Sequence, residues 1–136
     1  MPHTIVLNAD LGVIVFRARG CVEVAELVRA MDAMVLIPGF KAGLSLVADF
    51  RGCETHLSAD DLRGLATYAQ QADSKWGQTK WALLASNNLT FGLARMFMAL
   101  TSTHQVTTHV FHGAAEADDW LRLGLEVNEI LIRTPD

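Results

Sequence analysis

Three histidines stand close together late in this chain, His104, His109 and His112, and their spacing alone would suit a metal site. A strand is expected over residues 108 to 111, however. Continued to His112, it places His109 and His112 on opposite faces, because three residues is an odd step in a period of two. A zinc site would need a bulge and a further carboxylate, so these residues read as surface or strand-edge histidines and no metal is expected. Asp49, Glu54 and His56 surround a strand end, where α/β sheets often hold ligands. Acid/base work there would need a cleft and a tuned carboxylate. Without them, Asp49 closes a turn and the other two face solvent. Cys21 and Cys53 lie 32 residues apart, outside any C-x-x-C pattern, and read as two buried or half-buried free thiols. Each follows a glycine near a strand end. Cys21 is also expected to open a helix, where the dipole would activate a thiol, but no His or Asn spacing supports a nucleophile.

Five further residues have two readings each. Ser58 can cap a helix, with Asp61 at the reciprocal capping-box position and Leu57 packing on Leu62 as a staple. It could also accept a phosphate, which the helix N-terminus would favour and Asp60 and Asp61 would repel, so the plain cap is the favoured reading. Arg95 lies beside its helix's apolar stripe, on the same side as Phe91. It either pairs with Asp49 or a helix acid, or contacts an anion or partner. Gly92 sits in the first turn of that helix at a cost of about 1 kcal/mol relative to Ala, which implies close packing or the approach of another backbone. Trp76 and Trp81 flank Gly77. They either complete a core or form an exposed pair for a partner or apolar ligand.

The elements that must position these residues repeat one pattern three times: an apolar strand, a turn, then an amphipathic helix. It runs through LSLVADFRG to LSADDLRGLATYAQQ, KWALLAS to NNLTFGLARMFMAL, and THVFHG to AAEADDWLRLG. Such alternation implies an α/β layer structure. Ahead of it, residues 3 to 7 and 13 to 18 are expected to form an antiparallel hairpin across Asn8-Ala9-Asp10-Leu11-Gly12. Val24, Leu27, Val28, Met31 and Val35 then mark a helix over about 22 to 36, ended by Pro38-Gly39. Strands are expected at about 45 to 50, 81 to 85 and 108 to 111. The helix over about 89 to 102 is expected to bury Leu93, Met96, Phe97 and Leu100, and the last helix Ala117, Trp120 and Leu121.

Composition bounds the function. At 136 residues the chain fits one domain and buries roughly two thirds of its unfolded surface. Hydrophobic residues make up 51% against 19% charged, which excludes a largely disordered chain. The longest apolar-rich stretch, 22 to 37, is broken by Glu23, Glu26, Arg29 and Asp32, so no membrane span is expected. No signal peptide is visible in MPHTIVLNAD, and the cytoplasm is the default. Of the net charge of -4, all lies in residues 116 to 136; the rest balances, and no basic run suggests nucleic acid.

The order strand, strand, helix, then three strand–helix units carries specific strings. Asp49-Phe50-Arg51-Gly52 closes the third strand, Leu89-Thr90-Phe91-Gly92-Leu93-Ala94-Arg95-Met96-Phe97 opens the helix after the fourth, and Val110-Phe111 leads to Ala117-Asp118-Asp119-Trp120-Leu121. Over roughly residues 3 to 123 the chain resembles the STAS-like proteins of the sporulation anti-sigma factor antagonist type, particularly a bacterial branch of small stand-alone domains. The resemblance implies a mixed four- or five-stranded sheet opening with a hairpin, about four helices mainly on one face, no enzymatic activity and work done by binding. It also implies a phosphorylatable serine at the position of Ser58, although the family's Asp-Ser-Ser-Gly run is here Leu57-Ser58-Ala59-Asp60-Asp61. Residues 1–123 are thus expected to form one STAS-like domain. Residues 124–136, with Val127, Ile130, Leu131 and Ile132, are expected to extend it and dock on the domain or a partner. The candidate binding residues are Asp49, Arg51, Ser58, Thr90, Phe91 and Arg95. A homodimer or a regulatory protein partner is expected and no cofactor; the rival reading is a carrier of a small apolar or lipid-like ligand. A dry pocket of roughly 300 Å³ would favour the carrier, and an exposed apolar patch would favour protein binding.

Overall fold

The computed structural model describes residues 3–121. Asn8 sets the opening turn: its side-chain Oδ1 accepts the Leu11 N–H at 3.0 Å and its carbonyl accepts the Gly12 N–H at 2.9 Å. Gly12, at φ 68°, supplies the left-handed backbone that this turn requires. The hairpin so formed pairs β1 (His3–Asn8) antiparallel to β2 (Val13–Val22). β3 (Ser45–Thr55), β4 (Thr79–Leu84) and β5 (Val106–Phe111) then add in parallel, giving the order β1-β2-β3-β4-β5. Each parallel step is crossed by a helix: α1 (Val24–Val35), α2 (Ala59–Trp76) and α3 (Asn88–Leu100), with α4 (Ala114–Leu121) after β5.

Alternation along the strands feeds two cores. Ile14, Phe16, Leu46, Ala48, Trp81 and Leu83 face α1, α2 and α3 in the larger one. Val13, Val15, Val47, Ala82 and Leu84 face Ala114, Ala117 and Leu121 of α4 in the smaller one. The fold is therefore a five-stranded mixed α/β sheet that opens with a hairpin and carries its helices mainly on one face, as expected. Trp76 and Trp81 complete the larger core, meeting edge to face at 5.0 Å and 80°.

Several local expectations are corrected. β2 runs on to Val22, so Cys21 is an exposed strand residue and opens no helix; α1 starts at Val24. The extension exists because Gly20, Cys21 and Val22 find register partners in Cys53, Glu54 and Thr55 of an equally long β3. In α1 the buried line is Leu27, Ala30 and Met34, with Val24, Val28, Met31 and Val35 only partly covered. In α3 Phe97 is buried as expected, but its companions are Thr90 and Ala94 rather than Leu93, Met96 and Leu100. Small Thr and Ala side chains let α3 approach the sheet, which rotates Met96 and Leu100 outward. In α4, Trp120 is only partly covered, while Ala114 and Asp118 join Ala117 and Leu121 in being buried. Gly92 is exposed, and a Cβ added there would meet nothing within 4 Å among the described residues, so neither close packing nor a neighbouring backbone requires it. The expected C-terminal extension, 124–136, lies outside the described residues.

Candidate functional site

The parallel strands all end at one edge of the sheet, and the loops leaving that edge lead into the N-termini of α2, α3 and α4. Two of those termini are capped by side chains. The Asp61 N–H donates to Ser58 Oγ at 3.0 Å, and the Ser58 N–H donates to Asp61 Oδ2 at 3.0 Å, completing the capping box. Asn87 Oδ1 accepts the Thr90 N–H at 2.8 Å and so sets the first turn of α3.

Beneath these caps lies a cavity of about 90 Å³, lined by residues including Leu27, Met34, Leu62 and Phe97. Its surface is wholly apolar; Thr55 and Thr90, which are 4% and 3% exposed, border it, and neither threonine hydroxyl has a hydrogen-bond partner among the described residues. Unpartnered buried hydroxyls are uncommon, since each carries a desolvation penalty of roughly 1–3 kcal/mol. Thr90 was a candidate from the sequence; Thr55 was not, because β3 was expected to end five residues earlier.

Asp49 and Arg51 are brought together on the opposite face. Asp49 is buried, and Oδ1 accepts the Arg51 N–H at 3.0 Å and Arg51 Nε at 2.9 Å, while Oδ2 accepts Arg51 Nη2 at 3.1 Å and Arg17 Nε at 3.1 Å. Burial pushes the carboxyl up, but the hydrogen bonds and charge of Arg51, joined by Arg17, outweigh it and hold Asp49 below its ordinary 3.8. The same contact raises Arg51 against its own desolvation. Ser86 Oγ donates to the Arg51 carbonyl at 3.1 Å, tying this stretch of β3 to the loop before α3. Asp49 is thus the hub of an arginine cluster rather than the closure of a turn.

The remaining candidates do not join either group. Phe91 stacks on His112 with ring centroids 4.0 Å apart and planes 6° from parallel. Arg95 is exposed and forms no ion pair with Asp49, whose oxygens are taken by Arg17 and Arg51. Glu54 and His56 face solvent, as the plain reading had it. Cys53 is buried, and desolvation, with the nearby Asp49 and Cys21 charges, pushes its thiol up to about 11. Among the described residues no group of His, Cys, Asp and Glu is arranged to hold a metal, and His109 lies against Phe111 and Trp120.

The hairpin-led sheet and its crossovers superpose on a crystal structure of an uncharacterized protein of the DUF3478 family, with a SpoIIAA-like fold, from Shewanella loihica PV-4. The match covers 88% of this chain and 92% of that one, with a TM-score of 0.56 and 15% sequence identity. This chain has a SpoIIAA-like fold. That agrees with the STAS-like resemblance in the sequence, and at this identity the likeness speaks for the fold alone. No family model matches the chain, and no curated protein matches it. On the SpoIIAA-like framework Ser58 stands at the start of the helix after β3, with its hydroxyl engaged in the cap. No helix among the described residues is long and apolar enough to cross a membrane.

Proposed function

We propose that the chain is a binding domain rather than an enzyme, and that it meets a protein partner, a second copy of itself included, through one flank of α3. The carrying observation is that Leu89, Met96 and Leu100 are 63%, 42% and 40% exposed. Their spacing, with half-buried Leu93 between, places all four on one flank of the helix. Contiguous exposed apolar residues rimmed by polar ones mark interaction surfaces. Phe91 and Arg95, one turn apart, lie on the other flank of α3, outside this patch. In this reading Ser58 is a structural cap.

Light scattering tests the self-association. The chain should give about twice its 14.9 kDa mass at micromolar concentration, and Leu89→Glu with Met96→Glu should halve it without loss of helix content. A native monomer that also crosslinks to no protein in its host, through a photoreactive residue at position 96, would overturn the reading.

One observation favours a small apolar ligand as a second reading: the wholly apolar cavity, which Leu93 and Ala94 of α3 help to line. At about 90 Å³ it falls short of the roughly 300 Å³ of ordinary ligand sites, so only a few heavy atoms fit unless α3 shifts. Native mass spectrometry of protein from its own host should then show a retained mass that Ala94→Leu abolishes; its absence removes this reading.

A further inference from the structure

On the face of the sheet that carries α4, Val13 and Val15 of β2 and Val47 of β3 are fully buried in the smaller core. The next positions with the same parity are Arg17 and Asp49. Just beyond them the register slips: Arg17 pairs with Asp49, but Arg19 pairs with Gly52, so β3 takes one residue more than β2 over this stretch. Arg17, Arg19, Asp49, Arg51 and Gly52 consequently border one cleft of about 310 Å³, within the size range of small-molecule sites.

Among the described residues that border this cleft, three carry guanidinium groups and one a carboxylate. Asp49 is not available to oppose a ligand, because both its oxygens already accept from arginine N–H groups. Its role is to hold Arg17 and Arg51 in place from beneath. Arg19 is half-buried, borders the cleft and has no acidic partner among the described residues. Gly52 presents no side chain, and a Cβ there would approach Arg19 Cγ to 3.8 Å, on the side of the cleft that Arg19 borders. Preset arginine forks around an open cleft suit a tetrahedral oxyanion better than a point cation would.

From this arrangement we infer that the β2–β3 cleft is a binding site for a phosphate monoester group, with Arg19 as its principal ligand and Arg17 and Arg51 as preset walls. The site is independent of the α3 surface and lies on the other face of the sheet. The same chemistry occurs in a soluble phosphorylated molecule and in a phosphomonoester lipid headgroup.

The test titrates the full chain with inorganic phosphate at constant ionic strength set with chloride, following the backbone amide signals of residues 17–20 and 49–53. In parallel, sedimentation is measured with vesicles of phosphatidylcholine alone and with added phosphatidic acid. Saturable shifts confined to those residues, weakened at least tenfold in Arg19→Ala and lost in Arg19→Glu, support a soluble ligand. Sedimentation with phosphatidic acid but not with phosphatidylcholine, also lost in Arg19→Glu, supports a headgroup. No response to either probe, or a response that Arg19→Glu leaves intact, overturns the site. Because Arg19 has no ion pair to lose among the described residues, both variants should keep the native melting temperature to within a few degrees.

Discussion

Arg51 grips Asp49 with two of its nitrogens, Nε on Oδ1 at 2.9 Å and Nη2 on Oδ2 at 3.1 Å. The two residues are only two positions apart on β3, and the backbone N–H of Arg51 adds a third bond to the same carboxylate. Arg17 reaches it from the neighbouring strand. A paired carboxylate held below its ordinary 3.8 gives stability that is complete above that value. It is lost as pH falls first through 3.8 and then through the lower folded value, because the unfolded chain takes up the proton first. Asp49→Asn should lower stability at pH 7 by roughly 2–3 kcal/mol, less than for a fully buried pair because Arg51 keeps access to water. It should also flatten the decline below about pH 4. Urea unfolding at pH 7 and pH 3 measures both, and an unchanged acid slope would show that another group governs it.

Ser58 and Asp61 complete each other's missing hydrogen bonds at the start of α2. Ser58→Ala should therefore cost about 1 kcal/mol, and Ser58→Asp much less, since Asp also caps. Equal losses in chemical denaturation would mean that the hydroxyl does something besides capping. Phosphorylated Ser58 recovered from cells, with altered partner binding, would replace the structural role with a regulatory one.

Gly92 occupies an exposed position of α3 with open space around its missing Cβ. Gly92→Ala should raise stability by about 0.5–1 kcal/mol, through helix propensity and a less flexible unfolded chain. A lower melting temperature would reveal a contact made by this turn in the native assembly.

The two thiols should differ sharply in alkylation. Cys21 is exposed, whereas Cys53 is buried with its thiol pushed up to about 11. Iodoacetamide at pH 8 should modify Cys21 first and Cys53 only as the chain unfolds, which peptide mass spectrometry can follow. Comparable rates in the native protein would show that β3 opens locally.

Much of this molecule was legible locally. The Asn8-to-Gly12 turn, the Ser58 cap, the repeated strand-to-helix units and the STAS-like strings depend on residues near one another in the chain, whose preferences act through local backbone and side-chain chemistry. The order of elements followed from them, and so did the α/β class. What tertiary structure alone decided was which residues from separate elements face one another. α3 carries more apolar residues than one face can bury, so periodicity could not choose between the line through Thr90, Ala94 and Phe97 and the one through Leu93, Met96 and Leu100. Close packing of small residues on the sheet chose the first and left the second for solvent or a partner. Likewise Thr55 meets the same cavity as Thr90, and Arg17 and Arg19 meet Asp49, Arg51 and Gly52, only because of the register in which β2 and β3 pair. That register, with its one-residue slip, is set by burial on both faces of the sheet at once, and no stretch of sequence holds that information by itself.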